Sequence, residues 1–255
     1  MMNTEPVICF DKVAKTYRAD LFGKKTPALS DLSLTVSQGE VFGIIGPNGA
    51  GKSTALKILM GFVKYDGGFV SLTGHPPSTP ACHEKLGYLP ENPCLYENLT
   101  VTEQLTFAAR ISRILRGDRT DRIRKILDRV DLNHAANMPI RRFSKGMTQR
   151  AALAYALIHE PDILVLDEPM SGLDPLGRRL VVDIIKEYNE AGHTILFCSH
   201  VLTDVERICD RIGIMDKGRL AAVITPDELD RKPVSNERGA ASPLEAFFME
   251  TVKKG

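Results

Sequence analysis

Apolar and polar residues alternate along two early stretches, Val7–Tyr17 and Leu29–Val36. A period of two predicts half-buried strands. A polar loop with glycine and lysine, around Gly23–Pro27, separates them. Val41–Ile45 is a short apolar run that ends in glycine-rich sequence, the pattern of a buried strand. Ser53–Met60 then reads as a helix and Gly67–Leu72 as a strand.

The period changes between about Val101 and Ile158. Val101, Leu105, Ala108 and Ile111 share one face at helical spacing, and Ile123, Ile126, Leu127 and Val130 share the face of a second helix. Gly117-Asp118 is expected to interrupt the helical stretch, and Thr148–Ile158 to form a further helix. The last third alternates again. Ile163–Leu166, Thr194–Cys198 and Ile212–Met215 read as strands, and Leu176–Asn189 and Val201–Cys209 as helices. That rhythm predicts a parallel sheet covered by helices. Past about Thr225 the sequence is polar and irregular, notably at Lys232–Asn236, with a short helix expected near Leu244–Val252.

Composition narrows the class. The 255 residues include 33 Lys+Arg against 32 Asp+Glu, a net charge of +1, and 43% are hydrophobic. Such a chain can bury a substantial core and is not disordered as a whole. Balanced charge disfavours a nucleic-acid surface. No run approaches the roughly 20 apolar residues of a membrane helix. The N-terminus lacks the basic and apolar segments of a secretory signal. Five scattered cysteines, with no CxxC pair, fit reduced thiols. The expectation is a cytoplasmic chain. Arginines at 110, 113, 116, 119, 122 and 124 read as a solvated face, with anionic lipid or an acidic partner loop as the alternative.

Two segments carry chemistry. Gly46-Pro47-Asn48-Gly49-Ala50-Gly51-Lys52-Ser53 matches G-x-x-x-x-G-K-[ST] between a predicted strand and a predicted helix. Glycines let successive backbone N–H groups turn inward around phosphate oxygens, and the helix adds the positive end of its dipole. Lys52 reaches β/γ-phosphates and Ser53 offers a hydroxyl to Mg²⁺. Ile163–Leu166 ends in Asp167-Glu168. An acid pair at the carboxyl end of a parallel strand sits where ligands bind. Asp167 is placed to hold Mg²⁺ through its water shell, and Glu168 to orient or deprotonate the attacking water. The absence of Asn-Lys-x-Asp, and of Asp-x-x-Gly after the relevant strand, argues for adenine or for weak base selection.

In these motifs and their order, the chain resembles the ATP-binding subunit of ABC transporters from Val7 to about Thr225. The resemblance implies further roles. Tyr17 stacks on adenine, and Gly46, Asn48, Gly49, Gly51, Lys52, Ser53 and Thr54 hold phosphate. Leu89-Pro90-Glu91 occupies the Q-loop, and Phe143-Ser144-Lys145-Gly146-Met147 the family signature. Ser171-Gly172-Leu173-Asp174 matches the D-loop, and His200 the switch histidine. Ser144, Gly146 and Asp174 then serve a nucleotide held by a partner subunit, while Ser53, Glu91 and Asp167 attend the metal. Lys145 and Met147 depart from the usual Leu-Ser-Gly-Gly-Gln, and Glu91 from the usual glutamine. Both departures resemble ABC-2-type systems, which leans toward export.

The implied fold is α/β: a P-loop NTPase with a RecA-like parallel-sheet core, an N-terminal antiparallel β region and an inserted helical subdomain. The expected division is 1–88 with 161–225 as core, 89–160 as the helical subdomain, and 226–255 as a C-terminal extension. The implied cofactors are ATP and Mg²⁺. The implied partners are a transmembrane permease, which alone brings the chain to the cytoplasmic face of the membrane, and a second ATP-binding subunit, most simply another copy. No nucleic acid is expected. Two alternatives remain open on the residues alone: an ABC ATPase clamping DNA or a ribosome, and a small-molecule kinase. The kinase leaves the signature and D-loop without a role.

Overall fold

Strand pairing follows the alternation in the sequence. In the computed structural model, which describes residues 6–18, 25–231 and 242–253, the chain opens with β1 (Pro6–Arg18), β2 (Lys25–Ser37), β3 (Val41–Ile45), α1 (Lys52–Leu59) and β4 (Gly67–Leu72). The middle comprises β5 (Leu86–Leu89), α2 (Val101–Ile111), α3 (Arg116–Arg129), α4 (Lys145–Leu157), β6 (Ile163–Asp167) and α5 (Pro175–Glu190). It closes with β7 (Thr194–Cys198), α6 (Leu202–Ile208), β8 (Arg211–Asp216), β9 (Arg219–Ile224), α7 (Pro226–Arg231) and α8 (Pro243–Lys253). The described residues divide into two compact units, one within Met1–His83 and Thr194–Gly255, the other within Glu84–His193.

In the first unit β1 lies between β2 and β4 in an antiparallel sheet. Ile8 and Phe10 of β1 and Leu34 and Val36 of β2 are buried, so the alternating residues form one core face. β7, β3 and β8 run parallel, and β9 joins β8 antiparallel. All five residues of β3 are buried, which is why it reads as a continuous apolar run. Gly43 is required there: a Cβ would lie 2.6 Å from the Cys209 sulfur and 2.7 Å from Val205. Cys198 and Cys209 are buried in this core, and neither forms a disulfide. α8 packs on α6 through Glu206, whose carboxylate accepts from the Ser242 hydroxyl at 2.9 Å and the Leu244 N–H at 3.0 Å.

In the second unit β5 and β6 pair in parallel, and α2, α3 and α4 pack on one another. Thr100 and Glu103 form a reciprocal capping box at the start of α2.

Several expectations are corrected. Ile111 is 62% exposed, whereas Val101, Leu105 and Ala108 are buried. It sits about 80° around an ideal helix from Val101, on the flank of the apolar stripe. The helical stretch breaks at residues 112–115, where Arg113 takes φ 56°, and not at Gly117-Asp118. Those two lie in the first turn of α3, where Asp118 complements the N-terminal dipole. α4 begins at Lys145, three residues before the predicted start, because Ser144 supplies a side-chain cap. Lys25–Pro27, read as loop, belongs to β2. The rest of that loop (residues 23 and 24) and the irregular Lys232–Asn236 lie outside the described residues. β5, β9 and α7 are additions: four- and six-residue elements are too short for a period to declare itself.

Candidate functional site

The first unit carries the glycine loop. β3 delivers the chain to Gly46, and the loop turns through Gly49 (φ 82°) and Gly51 (φ 104°) into α1. Two contacts demand glycine beyond the backbone angles. A Cβ at Gly51 would lie 2.6 Å from the Ala28 carbonyl, and one at Gly46 would collide with the Met215 carbonyl. Lys52 is 9% exposed, and its ammonium donates to the carbonyls of Gly46 (2.7 Å) and Pro47 (3.2 Å). It thus folds back into the cup formed by its own loop. Gly51 is the N-cap of α1 and offers no side-chain acceptor, and no acid stands in the first turn. The helix therefore presents uncapped N–H groups and a positive dipole end beside an ammonium, an anion-binding arrangement.

A distant turn holds this loop from beneath. Lys217 (φ 44°) and Gly218 (φ 79°) form the two-residue link between β8 and β9. Two positive φ values are those of the hairpin turn that matches strand twist. Gly218 N–H donates to the Ala50 carbonyl at 3.0 Å, and its carbonyl accepts from Ser30 N–H at 2.8 Å. Sequence reasoning missed this support. The signal was available in Lys217-Gly218, a turn dipeptide beside an apolar run.

Tyr17 stands near the end of β1, 40% exposed. The Lys15 ammonium lies 5.6 Å from its ring centroid. His200 is exposed immediately past β7. Its predecessor Ser199 is buried and donates its N–H to the Ile44 carbonyl at 3.1 Å. Because β3 and β7 are parallel, His200 leaves the sheet at the same end as the glycine loop.

The second unit holds the acids and the signature segment. Asp167 ends β6, and both it and Glu168 are buried. Glu168 has φ 51°, a left-handed conformation that costs a non-glycine residue energy and must be held by its surroundings. One holder is Gln149, 3% exposed on α4. Its amide donates to the carbonyls of Glu168 (3.3 Å) and Pro169 (3.2 Å). Ser171 N–H also donates to the Glu168 carbonyl, at 3.0 Å. Gln149 is a support of the Glu168 turn that the sequence did not reveal, since a glutamine inside a helix carries no local signature. Glu91 is exposed just past β5, at the end of that strand that parallels the Asp167 end of β6.

Ser144 caps α4: its hydroxyl oxygen accepts from Met147 N–H at 3.2 Å, which leaves the O–H itself to donate elsewhere. Asp174 caps α5 in the same way, accepting from Gly177 N–H at 2.7 Å. Between them Gly172 (φ 74°) lies beneath the Lys145 stem, with a Cβ position 2.7 Å from Lys145 Cε. These residues line an open hollow of about 560 Å³, with Gly146, Leu173 and Arg150 also on its wall. Each predicted site residue is thus among the described residues. Tyr17, Gly46, Asn48, Gly49, Gly51, Lys52, Ser53, Thr54 and His200 lie in the first unit, and Glu91, Ser144, Gly146, Asp167, Glu168 and Asp174 in the second.

Known proteins share this pattern. The family model for the ABC transporter matches residues 29–171. An uncharacterized ABC transporter ATP-binding protein of Nostoc sp. is 46% identical over 89% of this chain and 69% of its own length. The linearmycin resistance ATP-binding protein of Bacillus subtilis is 37% identical, over 82% of this chain and 67% of its own. The Nod factor export ATP-binding protein of Burkholderia lata is also 37% identical, over 82% and 69%. The chain thus spans about two thirds of the length of these relatives. Among solved structures, an ATP-binding subunit of an ABC transporter superposes with a TM-score of 0.83 at 31% identity, covering 96% of this chain and 99% of that one. A dimeric ATP-binding cassette in a post-hydrolysis state with ADP and Pi superposes at 0.79 and 25% identity, over 86% and 98%. The chain belongs to the ABC transporter family, with the P-loop NTPase fold of its ATP-binding, ATP-hydrolysing subunits.

Proposed function

We propose that this ABC transporter family member is the ATPase engine of an exporter, acting on a separate transmembrane permease from the cytoplasmic face. The glycine loop carries the reading: a buried ammonium and uncapped helix N–H groups converge where a triphosphate would lie. Lys52, Gly46, Asn48, Gly49, Gly51, Ser53 and Thr54 bind the phosphates, and Tyr17 stacks on adenine. Glu168 polarises the attacking water, and His200 meets the γ-phosphate. The hydroxyl of Ser53 and the carboxylates of Asp167 and Glu91 are hard oxygen donors, the set that suits Mg²⁺. When bound, Mg²⁺ would neutralise phosphate charge.

In this reading two copies dimerise, each presenting Ser144, Gly146 and Asp174 to the nucleotide of the other. The exposure of the Ser144 hydroxyl and the open hollow around it support that role. Charge-assisted hydrogen bonds to phosphate contribute about 1.5–3 kcal/mol each. Loss of the γ-phosphate would then release several such bonds and shift the population toward separated subunits. Export is supported by relatives named for Nod factor export and for linearmycin resistance. The test is Glu168→Gln, expected to keep ATP binding, lose turnover and accumulate an ATP-bound dimer in size-exclusion chromatography. Undiminished hydrolysis would overturn the role of Glu168, and a strictly monomeric ATP-bound protein the dimer.

A further inference from the structure

We infer that Asp66, outside every motif above, is a positioning residue that locks Tyr17 as a one-faced platform for the nucleotide base; the inference rests on the base-stacking reading of Tyr17. The geometry starts with an incomplete sheet. β1 pairs with β4 only as far as Ala14↔Gly67, but its pairing with β2 continues to Arg18↔Lys25. The last residues of β1 therefore lack the ladder that β4 supplies to the earlier ones. Asp66, the residue just before β4, takes over. Its N–H donates to the Ala14 carbonyl at 2.8 Å, and its carboxylate accepts from Thr16 N–H at 2.7 Å. Ala14 and Thr16 are alternate residues, so both backbone groups point to the same edge of β1.

The second carboxylate oxygen reaches a side chain. Asp66 Oδ1 accepts from the Lys15 ammonium at 2.9 Å. That ammonium lies 5.6 Å from the centroid of the Tyr17 ring. Lys15 and Tyr17 are two apart on a strand and share a face. The Lys15 side chain is 15% exposed, which marks it as packed down and not swinging in solvent. One face of the tyrosine ring is thus occupied by a cation, held in turn by a carboxylate from another strand. Tyr17 as a whole is still 40% exposed, which leaves surface for a base to cover. Hydrogen bonds from Lys15 and Thr16 hold the Asp66 carboxyl below its usual range, so the clamp stays charged at neutral pH.

A platform residue acts on the base and not on the phosphates, and the test uses that separation. Affinities for ATP and for inorganic tripolyphosphate are measured on the full chain with Asp66→Ala, Asp66→Asn, Lys15→Met and Tyr17→Ala, each checked for native circular dichroism. Asp66→Ala and Lys15→Met are expected to weaken ATP about two- to fivefold, the range of an exposed cation–π contact, and to leave tripolyphosphate binding unchanged. Asp66→Asn keeps an acceptor for Thr16 N–H and is expected to fall between wild type and Asp66→Ala. In the Tyr17→Ala background, Asp66→Ala should add nothing. Should Asp66→Ala fail to fold, Lys15→Met and Asp66→Asn decide the matter alone. If Tyr17→Ala weakens ATP selectively while the Asp66 and Lys15 variants do not, the positioning role is wrong and the stacking reading stands. If Tyr17→Ala leaves the ATP-to-tripolyphosphate ratio unchanged, the stacking reading itself fails and takes the inference with it.

Discussion

The starts of α1 and α4 make an instructive pair. Both helices begin with residues assigned to phosphate, and both have a lysine as first residue. At α1 the N-cap is Gly51, with no side-chain acceptor, and Lys52 is buried against two carbonyls of its own loop. At α4 the N-cap is Ser144, which satisfies Met147 N–H, and Lys145 is exposed with its stem over Gly172. The first start is a closed cup with its charge already in place. The second is an open wall that caps itself and offers one hydroxyl outward. In the proposed reading the cup holds phosphate within one subunit, and the wall serves the nucleotide of the other.

The largest test of that contrast is Lys52→Ala. Removing the buried ammonium should abolish measurable ATP binding and turnover, with a loss of about a hundredfold or more, since each charged hydrogen bond contributes about 1.5–3 kcal/mol. Isothermal titration checks it, and retained affinity would mean that the cup is not the phosphate site. Gln149→Leu should come next. Without its two bonds to the Glu168 turn, turnover should fall about tenfold while ATP affinity holds, because only the water-polarising acid is misplaced. A parallel loss of affinity would show that Gln149 supports more than the acid pair.

Ser144→Ala should be milder in a monomer and sharper in a dimer. Loss of the cap costs about 1 kcal/mol of helix stability. Nucleotide affinity of the monomer should stay at wild type, while ATP-dependent dimerisation weakens about tenfold in analytical ultracentrifugation. Equal dimerisation would put the wall outside the interface. The smallest effect concerns His159, whose ring bonds to the Leu86 carbonyl at 3.2 Å. Burial, the main cause, pushes its pKa below 6.5. The folded state then resists protonation while the unfolded chain does not. Its contribution is complete above pH 6.5 and is lost as pH falls through that value toward the lower folded pKa. Thermal melts at pH 5.5 and 7.5 should differ less in His159→Gln than in wild type.

Much of the fold is legible in the amino-acid pattern. The long periodic elements, the buried run Val41–Ile45 and the helix after Lys52 stand where the pattern puts them. So do the buried acids at the end of β6. What escaped the sequence has a common character. The Lys217-Gly218 turn under Ala50, the Gln149 amide behind Glu168 and the Asp66 clamp on β1 all act across long stretches of chain. Each rests on one or two residues in an unremarkable setting, and its meaning comes from what it faces.

The sequence alone determined the chemistry: glycines where backbone must face phosphate, a lysine and a serine after them, two acids at a strand end. Those needs are local within each motif, because the loop groups fall within eight residues and the two acids are adjacent, and so each motif leaves a fixed spacing. The tertiary structure decided how firmly each group is held. It presses the Met215 and Ala28 carbonyls against the loop so that only glycine fits at 46 and 51. It also holds Glu168 in a left-handed turn with a glutamine nineteen residues away. Support of that kind depends on close approach between distant segments, and neither periodicity nor motif spacing records it.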